Sequence, residues 1–228
     1  MDLQTYGRIL SGCTLFQDVC EEEFPEALSF LDAAERSYRK NEMVFMIGEP
    51  VKRAGIVLTG IVELSFLDEG DNSITMNHFS AGNLFGESLS CAEEAVSPVQ
   101  MRALTDCSIL FLDLKRILTA ESLDRGYQSR LGSNLLRNFA RQNVFLNQKV
   151  RIMGQRKLRD KIKIFLRQQK ISPEGTIRVR FNRNQLAEFL GVNRSALSRE
   201  LSAMQEEGLL EADGNRITIL RREFLGIS

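Results

Sequence analysis

The sequence predicts an α+β chain: an N-terminal antiparallel β-roll, one long helix, and a C-terminal helix-turn-helix with a β-hairpin wing. Three observations predict it. Six short apolar runs bounded by Gly, Asp or Asn crowd residues 43–113, which is the pattern of a small antiparallel barrel or roll. Apolar residues then recur at alternating steps of three and four within residues 124–153, the spacing of a coiled-coil seam. Finally, RNQLAEFLGVNRSALSRELS at 183–202 reads as helix, tight turn and second helix, with a hairpin signal after it at 213–215.

Taken in order, residues 1–35 read as helical. Leu3, Tyr6 and Leu10 form one short pattern, and Phe24, Leu28 and Leu31 another, with Pro25 in a first turn. The strands are MVFMI, GIVLT, IVELSFL, SITMNHF, VQMRAL and CSILFLD. Val62, Leu64 and Phe66 alternate with Glu63 and Ser65, and DEGDN at 68–72 is a turn. On the long helix, Leu136, Phe139, Asn143, Leu146, Val150 and Met153 form the seam of a parallel dimer, whose single Asn fixes register and oligomer state. A helix buried within one chain is the alternative. Leu131, Leu135, Phe145 and Ile152 make a second stripe, expected to pack on the roll. Gly154 interrupts the pattern and is the expected hinge.

Residues 156–169 resume a helix with Leu158, Ile162, Phe165 and Leu166 inward and Lys and Arg outward. SPEG at 172–175 is a turn, TIRVRF is a strand, and DGN at 213–215 joins LLEA to RITIL, its Asp213-Gly214 dipeptide fitting a tight hairpin. The expected division is a roll at 1–122, a dimerisation helix and hinge at 123–154, and a winged helix-turn-helix at 155–228. No repeats or low-complexity tracts interrupt it.

Within the helix pair, Ala187 is small where the helices cross, and Gly191 stands where the turn needs a positive φ. Leu186, Leu190, Val192 and Leu197 supply the apolar contacts, and Asn193 is the expected N-cap of the second helix. At about 100° per residue, Leu197, Leu201 and Met204 share one sector, and Arg194, Ser195, Ser198 and Arg199 another. Two guanidiniums and two small hydroxyls suit a helix pressed into a major groove. An ordinary amphipathic pair has the same apolar pattern, so charge must separate the two readings. The chain is neutral overall, with 30 Lys+Arg and 30 Asp+Glu. Residues 151–228 nevertheless carry 16 Lys+Arg against 9 Asp+Glu, and residues 1–150 carry 14 against 21. A basic unit that also holds the helix pair points to phosphate neutralisation.

The 228 residues suit two domains with their own cores. No N-terminal apolar stretch resembles a signal peptide, and GIVLTGIVELSFL, broken by Glu63, is too short to span a bilayer. A cytoplasmic protein is expected, with no membrane partner. Cys13, Cys20, Cys91 and Cys107 contain no CxxC, so free thiols in a reducing compartment are expected and a metal site is not. Cys13 with Cys20 is the alternative, a redox pair. His78, the single histidine, shares parity with Ile74 and Met76 and reads as a core or half-buried imidazole.

Across nearly its full length the pattern resembles the CRP/FNR family of bacterial transcription regulators. The resemblance is carried by Phe45…Gly48-Glu49-Pro50, Gly55-Ile56-Val57-Leu58-Thr59-Gly60 and Gly82-Asn83-Leu84-Phe85-Gly86-Glu87. In the C-terminal half it is carried by Gln185-Leu186-Ala187 and Asn193-Arg194-Ser195-Ala196-Leu197-Ser198-Arg199. It implies a cyclic-nucleotide-binding-like jelly roll, and a homodimer that binds double-stranded DNA at a two-fold-related site under a signal sensed in the roll. RNA polymerase is a further candidate partner. Members that bind cyclic nucleotides follow Gly-Glu with Arg-Ser or Arg-Thr, whose guanidinium neutralises the cyclic phosphate. Here Gly86 and Glu87 are present, but Ser97-Pro98 stands in the Arg-Ser place. The counter-charge is gone, and proline removes an N–H donor. Cyclic AMP is therefore not the expected signal. Cys13 and Cys20 do not reproduce the cysteine cluster of the family's iron–sulfur sensors. No cofactor is identified; the candidate ligand is an unidentified small-molecule effector.

The candidate DNA contacts are Arg194, Ser195, Ser198 and Arg199, with Arg183 and Gln185 as phosphate contacts. The candidate effector pocket, between roll and long helix, comprises Gly86, Glu87, Ser88, Ser97, Met101, Arg102 and Asn143. A surface or ion-paired role is the alternative for Arg102. An enzyme is not expected: no Ser/His/Asp arrangement, P-loop or metal-ligand cluster is present. A thiol-based redox regulator and a protein-interaction module remain as alternatives.

Overall fold

The computed structural model describes residues 3–92, 96–120, 125–179 and 181–226, with side chains from Tyr6 onward. The expected helix start at 124, the boundary at 122, the packing of Leu3 and the Arg180 end of TIRVRF lie outside the described residues. The chain forms two compact units, 1–140 and 141–228, divided within the long helix.

The first unit opens with α1 (Leu3–Ser11) and α2 (Phe24–Phe30). Strands follow as β1 (Ala34–Tyr38), β2 (Met43–Phe45), β3 (Ala54–Thr59), β4 (Ile61–Leu67), β5 (Ser73–Ser80) and β6 (Leu84–Phe85). Then come α3 (Glu87–Cys91), β7 (Gln100–Ala103), β8 (Cys107–Leu112), α4 (Lys115–Thr119) and the long α5 (Gly126–Met153). Two four-stranded antiparallel sheets, in orders β1-β8-β3-β6 and β2-β7-β4-β5, make the roll.

The near-continuous apolar run of β3 has a physical cause, since successive side chains point to opposite faces and both faces are covered. Ala54, Ile56 and Leu58 join Leu110 and Leu112 of β8 against α1, α2 and the start of α5. Val57 and Ile109 point into the roll with Val62, Phe85, Met101 and Ala103. Gly55 is where the Phe85 ring closes on the backbone: an added Cβ would stand 2.2 Å from its Cζ. That ring is wedged between Phe79 and Phe111, with centroids at 5.8 and 6.4 Å, and has nowhere to retreat. Gly55→Ala is therefore expected to destabilise the roll by about 1–3 kcal/mol, read by chemical denaturation.

Two expectations are corrected here. Helix does not run to residue 35, because Ala34–Tyr38 pairs with β8 from Ala34↔Phe111 to Tyr38↔Cys107. Nor is His78 a core residue. β5 is an edge strand whose one neighbour is β4, which leaves the His78 side chain 52% exposed beside exposed Ile74 and Met76.

In the second unit, the end of α5 is followed by α6 (Leu158–Arg167), β9 (Thr176–Arg178), α7 (Arg183–Phe189) and α8 (Arg194–Glu206). The chain continues through β10 (Leu210–Asp213), β11 (Arg216–Ile219) and α9 (Arg222–Leu225). Its sheet has the order β10-β11-β9. One core takes Ile162, Phe165 and Leu166 of α6, Leu186 and Ala187 of α7, Leu197, Leu201 and Met204 of α8, and Ile217 and Ile219 of β11. The second stripe of α5 is divided, contrary to expectation. Leu131 and Leu135 are buried in the first core, but Ile152 is buried in the second, and Phe145, 46% exposed, sets its ring 5.6 Å from that of Phe189. The helix outlasts the roll, and its last turns serve the other unit.

Candidate nucleic-acid interface and sensor site

Local capping chemistry sets both helices of the pair. At the start of α7, Asn182 Oδ1 accepts from Gln185 N (3.0 Å), and Gln185 Oε1 accepts from Asn182 N (2.9 Å), a reciprocal capping box. At the start of α8, Asn193 Oδ1 accepts from Ala196 N at 2.7 Å. Asn193→Ala is expected to cost about 1 kcal/mol of stability, measured by thermal or urea unfolding. Between the helices, Gly191 takes φ +64°, where a side chain would be strained. Lys161 Nζ donates to Leu190 O at 3.0 Å and places a cation at the negative end of α7.

Leu197, Leu201 and Met204 face the core with at most 2% exposure. On the other side of α8, Arg194, Ser195 and Arg199 are exposed and Ser198 is half-buried. The helix also carries carboxylates, and a partner the sequence did not reveal engages two acids in this region. Arg159 of α6 donates through Nε to Glu200 (2.6 Å) and through Nη1 and Nη2 to Glu207 (2.7 and 2.6 Å). Among the described residues, Arg194 and Arg199 form no ion pair. Arg183, half-buried at the start of α7, lies near enough to Arg194 to feel its charge. Burial first, and then that charge, hold the Arg183 guanidinium below the ordinary arginine range.

The hairpin turns within the expected segment 213–215. Asp213 pairs with Arg216, so the connecting residues are Gly214 and Asn215 rather than Asp213 and Gly214. Asn215 O accepts from Val179 N at 2.8 Å. Exposed Arg216 stands opposite Arg178 of β9. Sequence reasoning missed this wing-borne cation, because a lone Arg in a short strand carries no periodic signal. Gln185 remains exposed, though its carboxamide oxygen belongs to the capping box.

In the first unit, Gly86 (φ +72°) opens α3, and Glu87 is buried. Asn138 Nδ2 of α5 donates to Glu87 Oε1 at 3.0 Å; this α5 partner was absent from the sequence-based set. Ser88 is exposed. Ser97 is buried and fully engaged: its N–H donates to Glu49 O (2.9 Å), its carbonyl accepts from Gly48 N (2.8 Å), and its hydroxyl donates within the local turn to Val99 O (2.6 Å). Met101 points into the roll. Arg102, the next residue along β7, takes the opposite face and pairs with Glu63 at 3.0 Å. Partial burial pushes the Glu63 carboxyl up, but the Thr75 hydroxyl and Arg102 outweigh it and leave it below the ordinary range. Arg102 is thus committed to an ion pair. Asn143 belongs to the second unit, where it accepts from Asn147.

Along the seam, Leu136 (70%), Leu146 (58%), Val150 (69%) and Met153 (46%) are exposed. Asn143 is exposed too, and Phe139 is half-buried against the first core. The four cysteines are unpaired. Burial pushes the Cys13 thiol up to about 11, and burial also raises Cys91 and Cys107. Such thiols are poor nucleophiles at neutral pH. No helix among the described residues is long and apolar enough to cross a membrane.

Comparison with known proteins places both units. Residues 35–120 match the cyclic nucleotide-binding domain model, and residues 160–226 match the Crp-like helix-turn-helix domain model. The CRP-like protein Clp of Xanthomonas euvesicatoria is 26% identical over 196 residues, covering 81% of this chain and 83% of the relative. That of Xanthomonas campestris is 24% identical over 197 residues, with the same coverage. Among solved structures, the c-di-GMP responsive global regulator CLP of Xanthomonas campestris aligns with a TM-score of 0.53 at 21% identity, covering 89% of this chain and all (100%) of the other. A CooA mutant from Carboxydothermus hydrogenoformans aligns at 0.56 and 18% identity, covering 88% and 93%. Those structural likenesses show the fold. With cyclic nucleotide-binding and Crp-like helix-turn-helix models matched in order along one chain, the protein belongs to the CRP/FNR family of DNA-binding transcription regulators.

Proposed function

We propose that the chain works as a homodimer that reads a pseudo-palindromic DNA site in the cytoplasm. Two α5 helices pair through Leu136, Phe139, Asn143, Leu146, Val150 and Met153, and each protomer presents α8 to a major groove. Residues 1–122 sense the signal, 123–154 dimerise and hinge near Gly154, and 155–228 bind DNA. Two-fold symmetry sets the half-sites about one helical turn, ~34 Å, apart. The observation that carries the reading is the face of α8: Arg194 and Arg199 are exposed with no carboxylate partner among the described residues, while Arg159 engages Glu200 and Glu207. Arg194 and Arg199 face guanine edges or phosphates, Ser195 and Ser198 base edges or phosphates, and Arg183 and Gln185 the phosphates. RNA polymerase is the partner through which a bound dimer would act. Gel shifts of genomic upstream fragments test the reading; a chain that retards none of them at low ionic strength overturns it.

The signal is proposed to be a small molecule other than cyclic AMP, held near Gly86, Glu87 and Ser88. Ser97 and Arg102, which stand where a phosphate counter-charge is needed or nearest to it in sequence, are engaged by a turn and by Glu63. Millimolar cyclic AMP is therefore expected to leave operator affinity unchanged, as measured by fluorescence anisotropy. An increase of about tenfold or more, some 1.4 kcal/mol of coupling, would contradict it.

A further inference from the structure

Outside the DNA-reading face, the second unit contains a hollow of about 830 Å³ that the account above leaves unused. Phenylalanine rings from four segments meet at it: Phe145 of α5, Phe165 of α6, Phe181, and Phe189 of α7. Phe181 and Phe189 are stacked at 5.2 Å, Phe165 meets Phe189 edge-on at 5.6 Å, and Phe145 stays 46% exposed. Rings gathered around a concavity and left partly in water mark a binding surface. The polar lining has one sign. Among the described residues, Lys170 and Arg178 are its charged members, and no Asp or Glu lines it. Arg178 also stands directly opposite Arg216, a like-charge cross-strand pair that a bound anion would relieve. The terminal amide nitrogen of Gln168, another lining residue, is buried and has no hydrogen-bond partner among the described residues.

We propose that this hollow binds a planar aromatic anion, a one- to three-ring system bearing a carboxylate or an acidic hydroxyl. The rings stack on or meet the edges of the phenylalanines. The anionic oxygen faces Arg178 and Lys170. The volume lies within the range of small-molecule pockets. The proposal does not depend on DNA binding, and its test contains no DNA.

The test is isothermal titration of the full chain with 2-naphthoate and with its neutral isostere 2-naphthamide. The expected result is one naphthoate per chain, bound at least about tenfold more weakly by Arg178→Glu and by Phe145→Ser. Naphthamide is expected to bind the unaltered chain more weakly by at least about the same factor. Both substitutions fall on exposed side chains, and thermal melting verifies their folding. Should either variant melt early, Arg178→Lys and Arg178→Gln decide instead, with binding kept by lysine and lost by glutamine. Absence of naphthoate binding, the outcome expected if the hollow seats a protein segment, overturns the proposal. So does an affinity indifferent to the Arg178 substitutions or to the ligand's charge.

Discussion

Replacing Leu146 and Val150 together by aspartate is expected to leave a monomer that binds its operator about 10²–10⁴-fold more weakly than the unaltered chain. These side chains are 58% and 69% exposed on α5, so the change costs little within one protomer. In a paired seam the same aspartates would bury unpaired charge, which two facing helices do not tolerate. The affinity loss follows because linked reading helices make the second half-site contact intramolecular. Sedimentation velocity reads the oligomeric state and fluorescence anisotropy the affinity. A variant that still sediments as a dimer would move the interface off this face of α5.

Arg199→Ala is expected to cost about 1–3 kcal/mol of operator binding and to relax base preference at one position of each half-site. Its guanidinium is exposed on α8 with no ion pair among the described residues, so no folded-state partner is orphaned by its removal and the melting temperature should hold. Arg183→Ala is the informative contrast. It removes a half-buried cation at the start of α7 and is expected to weaken specific and random duplexes alike, with a shallower salt dependence. Competition titrations against operators altered one base pair at a time separate the two behaviours. Uniform weakening by Arg199→Ala would assign that residue to phosphate instead of base.

The helix pair was legible because its signals are local. The N-cap asparagines, the glycine of the turn and the apolar spacing of Leu197, Leu201 and Met204 all lie within a few residues of what they determine. The strands of the roll were legible for the same reason, except β1. Its sequence AERSY is polar and largely exposed, and only pairing with β8 makes it a strand. Residues 84–85 were too short to read as a strand. The second stripe of α5 was read correctly as apolar but assigned to one core when it serves two, since periodicity gives a face and not its neighbour. Long-range polar partners left no trace at all. The contacts of Arg159 with Glu200 and Glu207 span 41 and 48 residues, and that of Asn138 with Glu87 spans 51. This is why the cationic face of α8 was legible while the means of keeping nearby acids engaged was not. It is also why the sensor-site residues were chosen by motif, with Asn138 missed and Arg102 included despite its commitment to Glu63.

The most direct test is the salt dependence of binding by the full chain to a pseudo-palindromic upstream fragment, set beside a random duplex of equal length. If each protomer neutralises at least two phosphates, through residues such as Arg183 and Arg194, the dimer's log–log slope is expected to be about −3.6 or steeper. The upstream fragment should bind at least about 10³-fold more tightly than the random one. A slope near zero, or equal affinity for the two duplexes, would contradict a dimer that reads DNA with the cationic face of α8.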